Sequence, residues 1–151
     1  MADLLEGDYE PSSQEWVREQ VETYERSGGR EGNTLSDTGW PIVVITSRGA
    51  KSGNLRKNPV MRVEHDGVYA AVASKGGAPE HPSWYANFVA DPVVQLQDGP
   101  EPALYRARQI TDPAERDEWW ERAVAAYPPY AEYAEKTEGI REIPVFLLER
   151  I

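Results

Sequence analysis

Short apolar runs separated by turn residues fill the middle of this 151-residue chain. Residues 42–46, an unbroken β-branched run, have the pattern of a strand that is buried on both faces. The dipeptide Asp66-Gly67 separates two further runs and is a strong signal of a β-hairpin, and residues 98–100 separate another pair. The pattern therefore predicts strands at residues 42–46, 60–64, 68–73, 93–97, 103–110 and 143–148.

Helical spacing first appears at residues 12–29, after an acidic segment, 1–11, that we expect to be a disordered tail. The predicted helix has four apolar residues on one side: Trp16, Val17, Val21 and Tyr24. Ser12 and Glu15 have the spacing of a capping box. Such a helix packs on the domain, or it lies at a membrane surface or at a substrate entrance. Its polar side mixes arginines with glutamates, which does not favour binding to anionic lipid.

Later helices are predicted at residues 82–90, which begin at a proline, and from Asp112-Pro113 to Pro128-Pro129. A short helical piece follows from Tyr130. The strands are mostly linked as hairpins and lack the regular alternation of strand and helix, which argues against a doubly wound sheet. We predict a mainly β fold with peripheral helices, a small antiparallel barrel, in which residues 30–151 form one domain.

The composition excludes several kinds of chemistry. The chain has no cysteine and only two histidines, which excludes a disulfide, a thiol nucleophile and a metal site built from cysteines or several histidines. The formal net charge of −10 argues against a nucleic-acid partner. Redox chemistry therefore requires a bound organic cofactor. No apolar run approaches the length of about 20 residues that spans a bilayer, and the acidic N-terminus lacks a signal-peptide pattern, so we expect a cytoplasmic protein.

Positive charge is concentrated in one part of this acidic chain. Residues 41–75 hold six basic residues against two acidic ones: Arg48, Lys51, Arg56, Lys57, Arg62 and Lys75 against Glu64 and Asp66. In the predicted loop 47–58, the sequence GAKSG offers a flexible backbone, a lysine and a hydroxyl, and Arg56 follows as a bidentate donor. The spacing differs from that of a Walker A loop. The loop is either an anion site, with phosphate as the best match, or a solvated basic turn.

Two other segments carry candidate chemistry. The loop at residues 74–77, SKGG, has two consecutive glycines after a predicted strand, which indicates either the close approach of a flat ligand or a plain turn. Tyr127, Tyr130 and Tyr133 recur at every third residue, so they form an aromatic wall with hydroxyl donors or are simply partly buried tyrosines. Neither His65 nor His81 has the sequence neighbours of a catalytic histidine.

Taken in order along the chain, these segments resemble a known family. The motifs GAKSG, Arg56, Asn58-Pro59, a DG hairpin, ASKGGAP, HPSWYAN, AAYPPYAEY and IPVFLL resemble those of the deazaflavin-dependent nitroreductase family of actinobacteria, over residues 40–149. The resemblance implies a split β-barrel that binds coenzyme F420 without a covalent bond. This coenzyme has a flat deazaflavin ring, a phosphate and an oligoglutamate tail, so it is flat at one end and anionic at the other.

The resemblance also implies roles for particular residues. The phosphate and tail are expected at Lys51, Ser52, Arg56, Asn58 and Pro59, with Arg48 adding to tail binding. The ring is expected against Ala73, Ser74, Lys75, Gly76 and Gly77, in a pocket completed by Pro82, Trp84, Tyr85 and Asn87. The catalytic, substrate-side residues are expected to be Ser74, Tyr127, Tyr130 and Tyr133. No metal is required.

The implied function is hydride transfer from reduced F420 to a quinone-like acceptor, with nitroaromatic compounds as further acceptors. One alternative is a binding module, either a non-catalytic F420 or flavin carrier or a barrel of the pyridoxamine-oxidase type that uses FMN. Another is an acidic interaction protein that binds no cofactor. Peripheral membrane association through residues 12–29 stays one interpretation, and the sequence predicts no oligomeric state.

Overall fold

The computed structural model describes residues 4–35 and 38–151 of the chain. One antiparallel sheet contains seven strands: β1 (Ile42–Arg48), β2 (Leu55–Met61), β3 (Glu64–His65), β4 (Val68–Val72), β5 (Val93–Gln97), β6 (Pro102–Gln109) and β7 (Val145–Arg150). The helices are α1 (Glu15–Ser27), α2 (Ser83–Ala90), α3 (Pro113–Ala126) and α4 (Pro129–Thr137), and a 3₁₀ turn covers Lys75–Gly77. The prediction of a mainly β fold with peripheral helices is confirmed.

The sheet buries both of its faces. Its strand order is β2-β1-β5-β6-β7-β4-β3. On β1, Ile42 and Val44 join a hydrophobic cluster with residues of α1, α3 and α4, whereas Val43 and Ile45 join a second cluster with α2. Because successive residues of a strand point to opposite faces, burial on both sides requires an unbroken apolar run. This explains the pattern at residues 42–46.

The second strand differs from the prediction. β2 begins at Leu55, so residues 55–58, which were expected in a loop, pair with β1. Their polar side chains concealed the strand because β2 lies at the edge of the sheet, where polar residues and Pro59 are tolerated. The strand expected at residues 60–64 is divided between β2 and β3. The turn at Asp66-Gly67 is confirmed, and both of its residues have a positive φ.

Helix α1 packs on the domain, as one interpretation of its sequence proposed. Three of its apolar residues are buried: Val17, Val21 and Tyr24. Trp16 is instead 54% exposed. The predicted capping box is wrong, because Gln14 precedes the helix and the Ser12 hydroxyl accepts a hydrogen bond from the Gln14 N–H at 3.1 Å.

The later helices begin where the sequence predicts. Helix α2 follows Pro82 and ends before Asp91. The Asp112 carboxylate caps α3 by accepting a 2.9 Å hydrogen bond from the N–H of Glu115. Among the described residues, no helix has the length and apolar character that crossing a membrane requires.

The N-terminal segment lies along the outer edge of β2. The expected tail, residues 1–11, includes 1–3, which are outside the described residues, but the chain from Leu4 onward has defined partners. Leu55 donates its N–H to the carbonyl of Asp8 at 2.7 Å and accepts the N–H of Glu10 at 2.9 Å. Tyr9 thereby forms a parallel bridge with Leu55. The segment covers part of an edge that would otherwise expose unpaired backbone groups.

Candidate functional site

Two cavities lie next to each other along β2 and the N-terminus of α2. The first, which we call the basic cavity, has a volume of about 540 Å³.

 The basic cavity is lined by residues of five parts of the chain, which are the N-terminal segment, α1, the turn that follows β1, strand β2 and helix α2: Glu10, Ser12, Gln14, Val17, Gly49, Ala50, Lys51, Ser52, Arg56, Asn58, Ser83, Ala86 and Asn87.

The second cavity, which we call the aromatic cavity, has a volume of about 320 Å³. Its lining is mostly apolar and aromatic: Trp16, Leu35, Ile42, Pro59, Val60, Met61, Val72, Ser74, Lys75, Gly76, Pro82, Trp84, Tyr127, Tyr130 and Tyr133. On three elements, consecutive residues line one cavity and then the other, as Asn58 and Pro59 do on β2. The two cavities therefore form one groove, basic at one end and aromatic at the other, which we call the β2–α2 groove.

The turn after β1 is held against α2 by a buried amide. The Asn87 side chain accepts a 2.9 Å hydrogen bond from the N–H of Ala50 through its Oδ1 atom. Asn87 was predicted as a ligand contact, and in the structure it also fixes the turn that carries Lys51 and Ser52. Lys51 is exposed at the basic cavity and takes part in none of the ion pairs among the described residues.

The six basic residues of segment 41–75 do not converge on one anion. Five of them pair within the chain: Arg48 with Asp91, Arg56 with Glu10, Lys57 with Glu25, Arg62 with Asp98, and Lys75 with Glu80. Only Lys51 and Arg56 of the six line the basic cavity. Arg48 does not line this cavity, and its guanidinium group donates to the carbonyls of Glu6 and Gly53.

A carboxylate of the chain itself lies on Arg56. The Arg56 Nη1 atom donates to Glu10 Oε2 at 2.6 Å, and Asn54 Nδ2 donates to the other oxygen of Glu10 at 3.3 Å. These contacts, first with Asn54 and then with Arg56, lower the pKa of Glu10. Glu10 therefore shows that this end of the groove accepts a negatively charged oxygen group.

The glycines of the SKGG loop have different surroundings. A Cβ atom at Gly77 would lie 2.9 Å from Lys136 Cδ and 3.3 Å from Tyr133 Cα, so this glycine lets the loop pack against α4. A Cβ atom at Gly76 would meet nothing within 4 Å, and Gly76 lines the aromatic cavity. Open space over Gly76 is what a flat ligand against the backbone requires.

The three tyrosines form one cluster at the aromatic end. The hydroxyls of Tyr127 and Tyr133 are 3.1 Å apart and share a hydrogen bond. The ring of Tyr130 packs edge-on against Tyr127 with centroids 4.9 Å apart. Burial, followed by the hydrogen bond with Tyr133, raises the pKa of Tyr127 to about 12. Burial also raises the pKa of Tyr130. Both phenols therefore keep their protons at neutral pH.

The chain as a whole matches a family of known proteins. The chain fits the family model of the F420H(2)-dependent quinone reductases over residues 16–150. The chain belongs to this family. An F420H(2)-dependent quinone reductase of Mycobacterium tuberculosis is 30% identical over 129 residues, which cover 84% of this chain and 85% of the relative.

Solved structures agree with the family. An F420-H2 dependent reductase, FDR-A, is 55% identical, has a TM-score of 0.67, and is matched over 72% of this chain and 94% of its own. A structure described as a domain-swapped dimer is 51% identical with a TM-score of 0.69, over 91% of this chain and 100% of its own. A FAD-binding protein of Mesorhizobium loti is 12% identical with a TM-score of 0.51, over 73% of this chain and 80% of its own, and shares the fold.

Three of the predicted site residues of this quinone reductase family member do not line the groove. Ala73 is fully buried, and Gly77 packs on α4. The Tyr85 ring lies against His81 and Phe146, on the side of the second hydrophobic cluster. The other predicted residues line one of the two cavities. Their assigned roles stay predictions.

Sequence reasoning missed part of the groove. Glu10 lies in a segment that was expected to be disordered, and Leu35 belongs to a polar loop with no motif. Trp16 lies on the helix for which a substrate entrance is one interpretation of the sequence, and it lines the aromatic cavity. In the described part of the chain, no three metal-ligating side chains come together.

Proposed function

We propose that this protein is an F420H2-dependent oxidoreductase that reduces quinone-like acceptors in the β2–α2 groove. Reduced F420, when bound, supplies a hydride. The observation that carries the proposal is the change of the groove from basic to aromatic along its length. An anionic tail at one end and a flat ring at the other fit that change.

The basic cavity would hold the phosphate and tail. Lys51 has no ion pair among the described residues, and Arg56 already binds a carboxylate there. Ser52 and Asn58 add neutral donors on the same lining. Arginine and lysine donors to anionic oxygen form the stronger class of hydrogen bond. This donor set supports an anionic ligand with more than one charged group.

The aromatic cavity would hold the ring and the acceptor. Ser74 and Gly76 lie on one wall, and the tyrosine cluster lies on another. The aromatic side chains exclude water, and the hydroxyls of Tyr127 and Tyr133 are donors that orient the acceptor oxygen or deliver a proton to it. Ser74 is buried and has no side-chain hydrogen bond among the described residues, which leaves its hydroxyl for a ligand.

The aromatic cavity also suits a second class of acceptor. We propose nitroaromatic compounds as further acceptors, because an apolar pocket with phenol donors also fits a nitro group.

We propose that α1 is one wall of the acceptor entrance and not a membrane-surface helix. Three of its apolar residues, Val17, Val21 and Tyr24, are buried in the domain, and the more exposed Trp16 lines the aromatic cavity. A cytoplasmic location stays a prediction.

A spectroscopic assay tests the proposal. Reduced F420 is mixed with the protein, menaquinone or a nitroimidazole is added, and the return of the absorbance of oxidised F420 is followed. We expect protein-dependent oxidation with at least one acceptor. Binding of F420 without turnover across acceptors would indicate a carrier. Tight binding of FMN with no affinity for F420 would overturn the proposal.

A further inference from the structure

Arg141 holds the loop of residues 73–81 from outside the groove. Its guanidinium group donates hydrogen bonds to four acceptors: Ala73 O at 3.1 Å, Ser74 O at 2.9 Å, Ala78 O at 3.0 Å and His81 Nδ1 at 2.9 Å. None of these acceptors is a carboxylate. The four bonds reach the beginning, the middle and the end of the loop.

The backbone of this loop needs such support. Lys75, Gly76 and Gly77 have φ values of 47°, 63° and 81°, in the left-handed region that is unfavourable for a lysine. A backbone of this shape leaves carbonyl groups without strand or helix partners, and buried carbonyls require donors. Arg141 donates to the carbonyls of Ala73, Ser74 and Ala78, of which that of Ser74 also accepts the N–H of Gly77 at 2.9 Å.

The histidine of the loop completes the arrangement. Because His81 Nδ1 accepts from Arg141, the proton of the neutral ring is on Nε2. The ring lies against Tyr85 of α2 with centroids 4.3 Å apart. Burial, and then the charge of Arg141, lower the pKa of His81, so the ring stays neutral at neutral pH. The loop is thereby joined to α2 as well as to Arg141.

Arg141 itself does not line the groove, but the loop that it holds does. Ser74, Lys75 and Gly76 form one wall of the aromatic cavity. We propose that Arg141 is a positioning residue that fixes this wall for the ring of the cofactor. This inference rests on the proposed function. A planar guanidinium group spans four acceptors, whereas an ammonium group is a point donor, so lysine is not an equivalent replacement.

The test compares Arg141→Ala, Arg141→Lys and the wild type. F420 affinity is measured by titration, and amide exchange at Gly77 and Ala78 is measured without any cofactor. We expect Arg141→Ala to weaken F420 binding by about ten-fold or more and to accelerate exchange at both amides. Arg141→Lys should show a smaller change of both. Added ethylguanidinium should restore affinity to Arg141→Ala. The control is Arg116→Ala, which removes an arginine paired with Glu142 outside the groove and should leave affinity unchanged.

The outcomes separate this inference from the proposed function. A wild-type protein that does not bind F420 would overturn the proposed function. If the wild type binds F420 and a folded Arg141→Ala binds it equally well, with unchanged exchange, the positioning role is wrong. If Arg141→Ala does not fold, Arg141→Lys decides: wild-type affinity and wild-type exchange would overturn the inference, and weakened affinity at an unchanged thermal midpoint would support it.

Discussion

The guanidinium group of Arg56 donates a 2.6 Å hydrogen bond to the carboxylate of Glu10, inside the cavity that we propose for the anionic tail of the cofactor. The two residues come from different segments, a strand and the N-terminal segment that covers its edge. An incoming phosphate or carboxylate therefore meets an arginine that is already paired. Binding of the tail to Arg56 requires that the ion pair between Arg56 and Glu10 break, or that both anions bind the same guanidinium group.

Replacing Glu10 should therefore strengthen cofactor binding. We expect Glu10→Gln to bind F420 a few-fold more tightly, because the glutamine keeps a polar group but removes the competing charge. The pair is partly exposed, which limits the size of the effect. Fluorescence titration of F420 measures it. Glu19→Gln, an exposed change on α1 with the same loss of charge, is the control. Weaker binding in Glu10→Gln would show that Glu10 orients Arg56 for the ligand and does not compete with it.

Removing the cations of the basic cavity should have the opposite effect. We expect Lys51→Ala and Arg56→Ala each to weaken F420 binding by about 1–3 kcal/mol, the range for losing a charge-assisted hydrogen bond. Binding by the wild type should also weaken as salt is added. Arg106→Ala, which removes an exposed arginine of β6, controls for net charge. Unchanged affinity in both variants would exclude the basic cavity as the tail site.

Much of the fold follows from local sequence patterns. The unbroken run at 42–46 and the Asp66-Gly67 turn act through neighbouring residues, and both are found as predicted. β2 was placed too late because an edge strand tolerates polar residues, so its apolar pattern is weak. The overall architecture could be predicted for this reason, whereas the exact course of its edge could not.

The site was predicted less completely, because its contacts join distant residues. Arg56 and Lys57 are neighbours in a basic segment, but they bind different glutamates, Glu10 and Glu25. Successive side chains of a strand point to opposite faces, so a cluster in the sequence becomes two separate sites in space. No local pattern marks Arg141 as the partner of a loop more than sixty residues away, and its role required the structure.

Substitution by alanine should have different effects at the two glycines of the SKGG loop. We expect Gly76→Ala to lower the free energy of unfolding by about 1–2 kcal/mol, because alanine is strained at its φ of 63°. Gly77→Ala should cost more, because its Cβ also meets α4. Gly67→Ala, at a φ of 81° with open space around it, is the matched control. Urea unfolding measures all three. Only Gly76→Ala should weaken F420 binding by more than its loss of stability explains. Equal effects of Gly76→Ala and Gly67→Ala on F420 affinity would contradict the proposal that Gly76 lies against the ring of the cofactor.

The tyrosine cluster should affect turnover more than cofactor binding. We expect Tyr133→Phe to lower the turnover of a quinone by about ten-fold or more, because it removes a hydroxyl donor and the 3.1 Å bond to Tyr127, with F420 affinity nearly unchanged. Tyr105→Phe, a buried change outside the groove, is the control. Because the pKa of Tyr127 is raised from 10.0 to about 12, its contribution to stability is complete below pH 10 and is lost as the pH rises toward 12. The pH profile of turnover should therefore show no ionisation of Tyr127 between about pH 6 and 9. If the Tyr133→Phe variant keeps wild-type turnover with every acceptor, the Tyr133 hydroxyl takes no part in the reaction.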